Sequence, residues 1–294
     1  MIVVFGSVNL DLVTRVARFP APGETVAGTS FHMVVGGKGA NQALAAARAG
    51  AKVRLYGALG RDALAAMAVE TLSSGGVDVE ELDRRDAPSG CAIIQVDRGG
   101  ENCIVVVPGA NAFADPDSVP DHCLRAGSTL LLQHEVPEQA NKALIERASA
   151  TGARVLLNAA PARPIGLDLL RRIDMLIVNE TEAGELAAHL RWPSEPARFA
   201  AAGSASVESL AVVVTLGAAG AIVAQGGDEL VTPAPRVDVF DTTGAGDAFV
   251  GTLAAALDGG STLALAMQRA VAAGSRACTE QGARKPCAPP TERA

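Results

Sequence analysis

Short, uninterrupted apolar runs alternating with helix-patterned stretches constrain this chain more than any other feature. Residues 2–6, 53–56, 129–132, 155–157, 175–178 and 210–215 are such runs, with Arg54 the one charged residue among them, and helical patterns cover about 63–72 and 139–150. Runs without polar alternation fit strands of a parallel sheet covered by helices on both faces. A length of 294 residues suffices for a large core, so the expectation is one α/β unit with an inserted element. Polar residues stand where several of these strands end: Asn9 and Asp11, Glu135 in Gln133-His134-Glu135, Asn158, and Asn179 to Glu182. Open α/β sheets bind their ligands at the carboxyl ends of strands.

The rhythm breaks in two places. Residues 12–16 and 26–35 read as strands joined through Pro20-Ala-Pro22-Gly23-Glu24, and 91–96 with 102–107 read as a hairpin around Arg98-Gly99-Gly100. Four strands with no helix between them predict a small sheet outside the main layer, a lid formed by about 12–35 and 91–107.

Charge and cysteine usage exclude several classes. A formal net charge of −7 leaves no basic footprint for nucleic acid or an anionic membrane, so any phosphate site is local, made of amides and a metal ion. Met1-Ile-Val-Val-Phe5 lacks a preceding Lys or Arg and reads as a first strand instead of a signal peptide, and no apolar run approaches membrane-spanning length. Five scattered cysteines without CxxC spacing support neither a disulfide framework nor a zinc site; reduced thiols and a cytoplasmic location are expected.

One segment joins phosphate chemistry to an acid. Asp241-Thr-Thr-Gly-Ala-Gly-Asp247 puts a Gly-rich turn at the start of a helix whose apolar stripe is Phe249, Val250, Leu253 and Leu257. Unpaired amides at a helix start bind phosphate oxygens. Asp247 among them is either a first-turn acid complementing the helix dipole or a base for a hydroxyl that attacks the phosphate. Gly36-Gly-Lys-Gly-Ala-Asn-Gln-Ala43 opens an Ala-rich helix but matches neither a dinucleotide fingerprint nor a Walker A loop. It leaves a turn of close ligand approach with Lys38 and Asn41 as donors, or a helix start with a surface lysine. Asn9 and Asp11 either hydrogen-bond substrate hydroxyls or shape their turn. Asn179 and Glu182, three apart at a helix start, either face Mg²⁺ through water or form a capping box. The turn Thr215-Leu-Gly-Ala-Ala-Gly220 lies along a nucleotide or closes a hairpin. His134 has no partner at metal spacing and reads as structural, and a helix within 195–209 has uncertain bounds around Gly203.

Taken in order, Gly6-Ser-Val-Asn-Leu-Asp11, Pro22-Gly-Glu-Thr25, 36–43, Asn179-Glu-Thr-Glu182, Thr215-Leu-Gly217 and 241–247 resemble the ribokinase branch of the PfkB carbohydrate kinase family, from Met1 to about Gly282. The resemblance implies an α/β fold, a ribokinase-like three-layer Rossmann-like core with a small β-sheet lid, in a single kinase domain over 1–294. It implies Asp247 as the base and the amides of Gly244, Ala245 and Gly246 as the anion hole. Asn9, Asp11, Gly37, Lys38, Asn41 and Glu135 would hold the sugar. Asn179, Thr215, Gly217, Gly220 and Gly246 would line the ATP site, with Glu182 ordering Mg²⁺ through water. Asp241 and Thr243, with carbonyls near Ala277, Glu280 and Gly282, would bind a monovalent cation, usually K⁺. The resemblance also implies a homodimer through exposed edges of the lid strands. The chain departs from ribokinases at Asn158-Ala-Ala-Pro161, where Asn-Pro-Ala-Pro is common, across 277–286, and at Val271, where relatives often place a His or Asn against adenine.

The expected reaction is therefore ATP-dependent phosphorylation of a sugar's primary hydroxyl, D-ribose first, with deoxyribose, fructose or a nucleoside as alternatives. Asp11 and Glu135 against Lys38 suit a neutral polyhydroxyl ligand better than a sugar phosphate. One Trp, one Tyr and seven Phe offer little stacking surface for a nucleoside. A non-catalytic sugar or nucleotide sensor would not need the base and anion-hole glycines, and a dehydrogenase would need the missing fingerprint.

Overall fold

The structure is a computed structural model that describes residues 1–279; Glu280 and Gly282 lie outside the described residues. The chain enters through β1 (Ile2–Phe5), crosses into β2 (Asn9–Val16) and β3 (Gly28–Gly36), and returns through α1 (Lys38–Arg48). Then follow β4 (Val53–Tyr56), the short β5 (Ala58–Leu59), α2 (Ala63–Ser74), and the short β6 (Val77–Asp78) and β7 (Asp83–Arg84). A hairpin of β8 (Gly90–Val96) and β9 (Asn102–Val107) precedes the second run of strands and helices. That run is β10 (Thr129–Gln133), α3 (Glu138–Thr151), β11 (Arg154–Asn158), α4 (Leu167–Leu170), β12 (Met175–Asn179), α5 (Glu180–Leu190), α6 (Pro196–Ser206) and β13 (Ala211–Thr215). The chain closes with β14 (Ala221–Gln225), β15 (Asp228–Thr232), α7 (Ala245–Asp258) and α8 (Leu263–Ala277).

The main sheet has the order β15-β14-β13-β12-β11-β10-β1-β4-β6. All pairs from β13 to β6 are parallel, and β14 and β15 add an antiparallel end. Alternate side chains of one strand enter different cores. Val3 and Phe5 join Leu130 and Leu132 against α3, α5 and α6, whereas Ile2 and Val4 join Leu131 against α1, α2, α7 and α8. Burial on both faces is why these strands are continuously apolar. Strand order reverses at β1, which lies between β4 and β10, so a ligand crevice opens beyond the carboxyl ends of β1 and β10.

The second sheet has the order β3-β2-β8-β9. Its β2 begins at Asn9, three residues before the expected start, because Asn9 pairs with Gly36 on one side and Gly90 on the other. Phe31, Met33, Ile93, Ile104 and Val105 are exposed on it. Helix α6 runs unbroken through Gly203, with Phe199 and Ala200 buried. No helix among the described residues is long and apolar enough to cross a membrane.

Candidate active site

The crevice at the strand-order reversal is closed by a carboxylate. Ser7, just beyond β1, donates from Oγ to Glu135 Oε2 at 2.5 Å, and the Lys38 amide donates to the same oxygen at 2.9 Å. Glu135 thus ties the ends of β1 and β10 to the start of α1, leaving Oε1 without a protein partner among the described residues. Gly37, the residue before α1, has φ 87° and sits so close that a Cβ would lie 2.8 Å from the Ser7 carbonyl oxygen and 2.9 Å from the Asn9 nitrogen. Only glycine fits both the conformation and the space.

Asn9 and Asp11 lie on β2, where the alternation of the strand turns both to one side. Asn9 is buried, and its Oδ1 accepts from Asn111 Nδ2 at 2.7 Å. Asn111 also exchanges hydrogen bonds with the Val8 backbone, at 2.9 and 3.1 Å. The loop after β9 therefore holds the root of β2, a role nothing local in the sequence around Asn111 announces.

At the other side of the crevice α7 begins at Ala245, preceded by Gly244 with φ 79° and no side-chain cap. The Asp241 carboxylate accepts from the Thr243 amide at 2.9 Å, and the Ala245 amide reaches the Thr242 carbonyl at 3.2 Å. The amides of Gly244, Gly246 and Asp247 have no protein acceptor among the described residues. These are the orphan donors of a helix start, a chemistry suited to an anion.

Asp247 is half-buried, and both its oxygens are taken: Oδ2 accepts from Asn41 Nδ2 and Oδ1 from Gln42 Nε2, each at 2.9 Å. Burial pushes its proton affinity above the ordinary carboxylate value. The Lys38 ammonium and the two amide donors oppose that shift, and the Glu135 charge adds to it. Glu182 is also raised, first by burial, with Lys38 pulling it down and Asp247 pushing it up. Lys38, Glu135, Asp247 and Glu182 thus form one interacting charge group.

Asn179 and Glu182 form a reciprocal capping box on α5. The Asn179 amide donates to Glu182 Oε2 at 2.9 Å, and the Glu182 amide donates to Asn179 Oδ1 at 2.8 Å. The two side chains face one another here, with Glu182 Oε1 left over. A cavity of about 680 Å³ adjoins the start of α7 and is lined by Thr215, Gly217, Gly220, Ala245, Gly246 and Val271. Its remaining wall comes from Ala218, the stretch Ala234 to Val239, Thr242, Phe249, Gly274, Ser275 and Cys278; the sequence marks Phe249 only as part of a helix stripe, and nothing in it marks the 234–239 stretch. The turn after β13 closes the β13–β14 hairpin, and its Thr215, Gly217 and Gly220 also line the cavity. Asp241 and Phe240 donate their amides to the Cys278 carbonyl at 3.2 and 2.8 Å, so the segment before α7 is tied to the end of α8 near Ala277. His134 is buried, with Nδ1 3.1 Å from the Pro161 carbonyl oxygen, and no cluster of His, Cys, Asp or Glu among the described residues has metal-site geometry.

Comparison with known proteins gives this geometry its context. A ribokinase of Lactococcus lactis subsp. lactis (strain IL1403) is 34% identical over 283 residues, covering 95% of this chain and 91% of the relative. A deoxyribokinase of Salmonella typhimurium is 33% identical over 285 residues, covering 96% and 93%. A solved structure of Arabidopsis thaliana ribokinase complexed with ribose and ATP superposes with a TM-score of 0.86 at 32% identity, covering 96% of this chain and 93% of that one. The family model described as pfkB family carbohydrate kinase matches residues 1–291, and the chain belongs to that family, an enzyme of phosphoryl transfer to an alcohol group.

Proposed function

We propose that this chain is an ATP-dependent ribokinase, transferring the terminal phosphoryl group of ATP to the primary hydroxyl of D-ribose to give D-ribose 5-phosphate. The observation that carries the reading is the position of Asp247, bonded to Asn41 of the 36–43 turn on one side and one residue from the cavity-lining Gly246 on the other. A sugar hydroxyl arriving from the Asn41 side meets a phosphate arriving from the Gly246 side at a carboxylate. Asp247 takes the hydroxyl proton as the oxygen attacks, and the amides of Gly244 and Gly246, with that of Ala245 once it turns from the Thr242 carbonyl, hold the phosphoryl oxygens. Such transfer depends mainly on positioning and charge stabilisation, each anion-hole donor supplying about 3 kcal/mol.

The sugar is held by Asn9, Asp11, Gly37, Lys38, Asn41 and Glu135. The Arabidopsis thaliana relative complexed with ribose and ATP supports ribose as the acceptor, and the deoxyribokinase relative makes deoxyribose the alternative to test beside fructose and nucleosides. Asn179, Thr215, Gly217, Gly220 and Gly246 hold the nucleotide, with the apolar Val271 against the base. The small four-stranded sheet serves as the lid, within one kinase domain.

Hard oxygen donors fit both cations. Glu182, with one carboxylate oxygen outside the capping box, would order Mg²⁺ through water; Asp241 and Thr243, with carbonyls near Ala277, would hold K⁺, together with Glu280 and Gly282, which lie outside the described residues. When bound, each cation supplies positive charge beside the phosphates. Exposed Phe31, Met33 and Ile104 on the small sheet support a homodimer through that sheet, and the unpaired cysteines 91, 103, 123 and 278 support the cytoplasm.

The test is ADP release over a panel of ribose, deoxyribose, fructose and nucleosides, with and without K⁺. Ribose is expected to give the highest kcat/KM. No ADP above background with any acceptor would defeat the kinase reading, whereas a preference for another sugar would defeat only the substrate.

A further inference from the structure

The residues beneath Asp247 form a chain of hydrogen bonds with a fixed direction. It starts at the Ile177 carbonyl oxygen, in the middle of β12, which can only accept. Asn158 Nδ2 donates to it at 3.1 Å, so Asn158 Oδ1 must face the other way. That oxygen accepts from Gln42 Nε2 at 2.9 Å. The second hydrogen of the same Nε2 is directed to Asp247 Oδ1, also at 2.9 Å. Gln42 Oε1 accepts from Gln133 Nε2 at 2.8 Å, but Gln133 Oε1 is buried without a partner among the described residues, so these two amides could turn together and it is Asn158 that fixes the direction. Gln42 and Gln133 are fully buried and Asn158 is 7% exposed, so water does not compete for these contacts. A primary amide can present either a donor or an acceptor to a neighbour; here a backbone carbonyl two residues away in the chain of bonds decides that it is a donor.

We propose that Gln42 is a positioning residue for phosphoryl transfer, presenting an N–H to Asp247 Oδ1 in an orientation imposed by Asn158 and the Ile177 carbonyl, so that the carboxylate is charged and aimed before substrates arrive. The inference rests on Asp247 acting as base. It assigns roles to Gln42, Asn158 and Gln133 beyond those of the sugar and nucleotide contacts. Asn41 secures the other oxygen from the same helix, so two consecutive residues of α1 fix the carboxylate plane. Charged groups facing Asp247 are Lys38 from α1, Glu135 beyond β10 and Glu182 from α5. Lys38 alone favours the ionised form, against two like charges and burial. The neutral donors Asn41 and Gln42 add to Lys38 on the side of the ionised form.

The test uses Gln42→Met, which keeps the length of the side chain and removes the donor, and Asn158→Leu, which leaves Gln42 in place but frees its amide to turn. Carboxyl ¹³C NMR of aspartate-labelled protein, with the Asp247 signal assigned through Asp247→Asn, reads the ionisation midpoint directly, and kcat/KM is followed against pH. The midpoint is expected to rise by about one pH unit in Gln42→Met and to move in the same direction in Asn158→Leu. The acid limb of kcat/KM should follow, with a smaller loss of kcat on the alkaline plateau, where Asn41 still holds the other oxygen. An unmoved midpoint in either folded variant, or a loss of kcat equal at every pH, overturns the proposal. Should Gln42→Met fail to unfold cooperatively, the Asn158→Leu midpoint decides alone. If Asp247→Asn keeps its turnover, the base reading fails; the NMR midpoint still decides whether Gln42 acts on the carboxylate.

Discussion

Replacing Gly251 by alanine adds one methyl group where α7 crosses α1. A Cβ there would lie 2.4 Å from the Gln42 carbonyl oxygen, 2.6 Å from Ala45 Cβ and 2.9 Å from the Ala46 nitrogen. Two of these are backbone atoms, so no side chain can swing away. Reaching ordinary contact requires the helices to part by about 1 Å. Asp247 lies one turn before Gly251 on α7, and its partners Asn41 and Gln42 begin the facing stretch of α1. Their 2.9 Å bonds to Asp247 would stretch beyond hydrogen-bonding distance. Overpacking of this kind costs about 1–3 kcal/mol, partly offset by roughly 1 kcal/mol of helix propensity gained over glycine. A loosened base should lower kcat by roughly 100-fold. Gly184→Ala is the control. It is the same chemical change in α5, with nothing within 4 Å of the new Cβ, and it should raise stability by about 0.5–1 kcal/mol with kcat unchanged. Thermal unfolding and a coupled ADP-release assay at saturating substrates read both variants. If Gly251→Ala kept parental turnover, the contact between α1 and α7 would not be what sets the base.

Asp247→Asn should cut turnover by 10² to 10⁴ or more while leaving sugar binding, read by calorimetry, nearly unchanged; turnover within tenfold of the parent would exclude the base role. The same variant should unfold at higher temperature at neutral pH. Burial raises the folded-state proton affinity of Asp247 above its unfolded value, so this group's contribution to stability falls as pH rises through that interval and stays low above it. Asn41, whose Oδ1 is buried without a partner, can turn over to accept from the new amide. Activity follows the same shift in the opposite sense: kcat/KM should fall as pH drops through the raised Asp247 value. Asn179→Ala removes half of the capping box and should destabilise the protein by about 1 kcal/mol in denaturant unfolding. Phe31→Glu on the small sheet should shift the protein toward monomer in sedimentation without altering its melting temperature as a monomer, and an unchanged sedimentation coefficient would remove that sheet from the subunit contact.

Strands such as Ile2–Phe5 and Ala211–Thr215 are legible in the sequence because burial on both faces demands continuous apolar residues, a local signature. The extra strands of the small sheet show up as a break in the helix rhythm for the same reason. What escapes is convergence from distant segments. Nothing near Asn111 signals that it grips Asn9 across 102 positions, and nothing in the stretch Ala234 to Val239 signals a cavity wall. Gln42 sits inside a quoted motif, yet its direction depends on Asn158, Gln133 and a carbonyl in a third strand. The Asn179–Glu182 pair shows the converse: its spacing allows a cap or a ligand site, and the helix start takes the cap with both amides, Asn179 Oδ1 and Glu182 Oε2, leaving Glu182 Oε1. Ligand roles there must use what capping leaves.

Every connection between the small sheet and the rest of the chain lies at one end of it. Asn9 follows β1 after three residues, Gly36 passes into α1 through Gly37, and Gly90 and Val107 stand together at the same level of the register, with 17–27 and 97–101 at the far end. The sheet is a cantilever about 26 Å long, with its root at the crevice. A rotation of about 10° at that root would carry the tip through roughly 4 Å. Asn9, at the fulcrum, would scarcely move. The sugar contact proposed for Asn9 and displacement of the overhang are in this way mechanically separate, and the leverage falls on Gly6, Ser7 and Val8, where the Ser7 hydroxyl is pinned to Glu135.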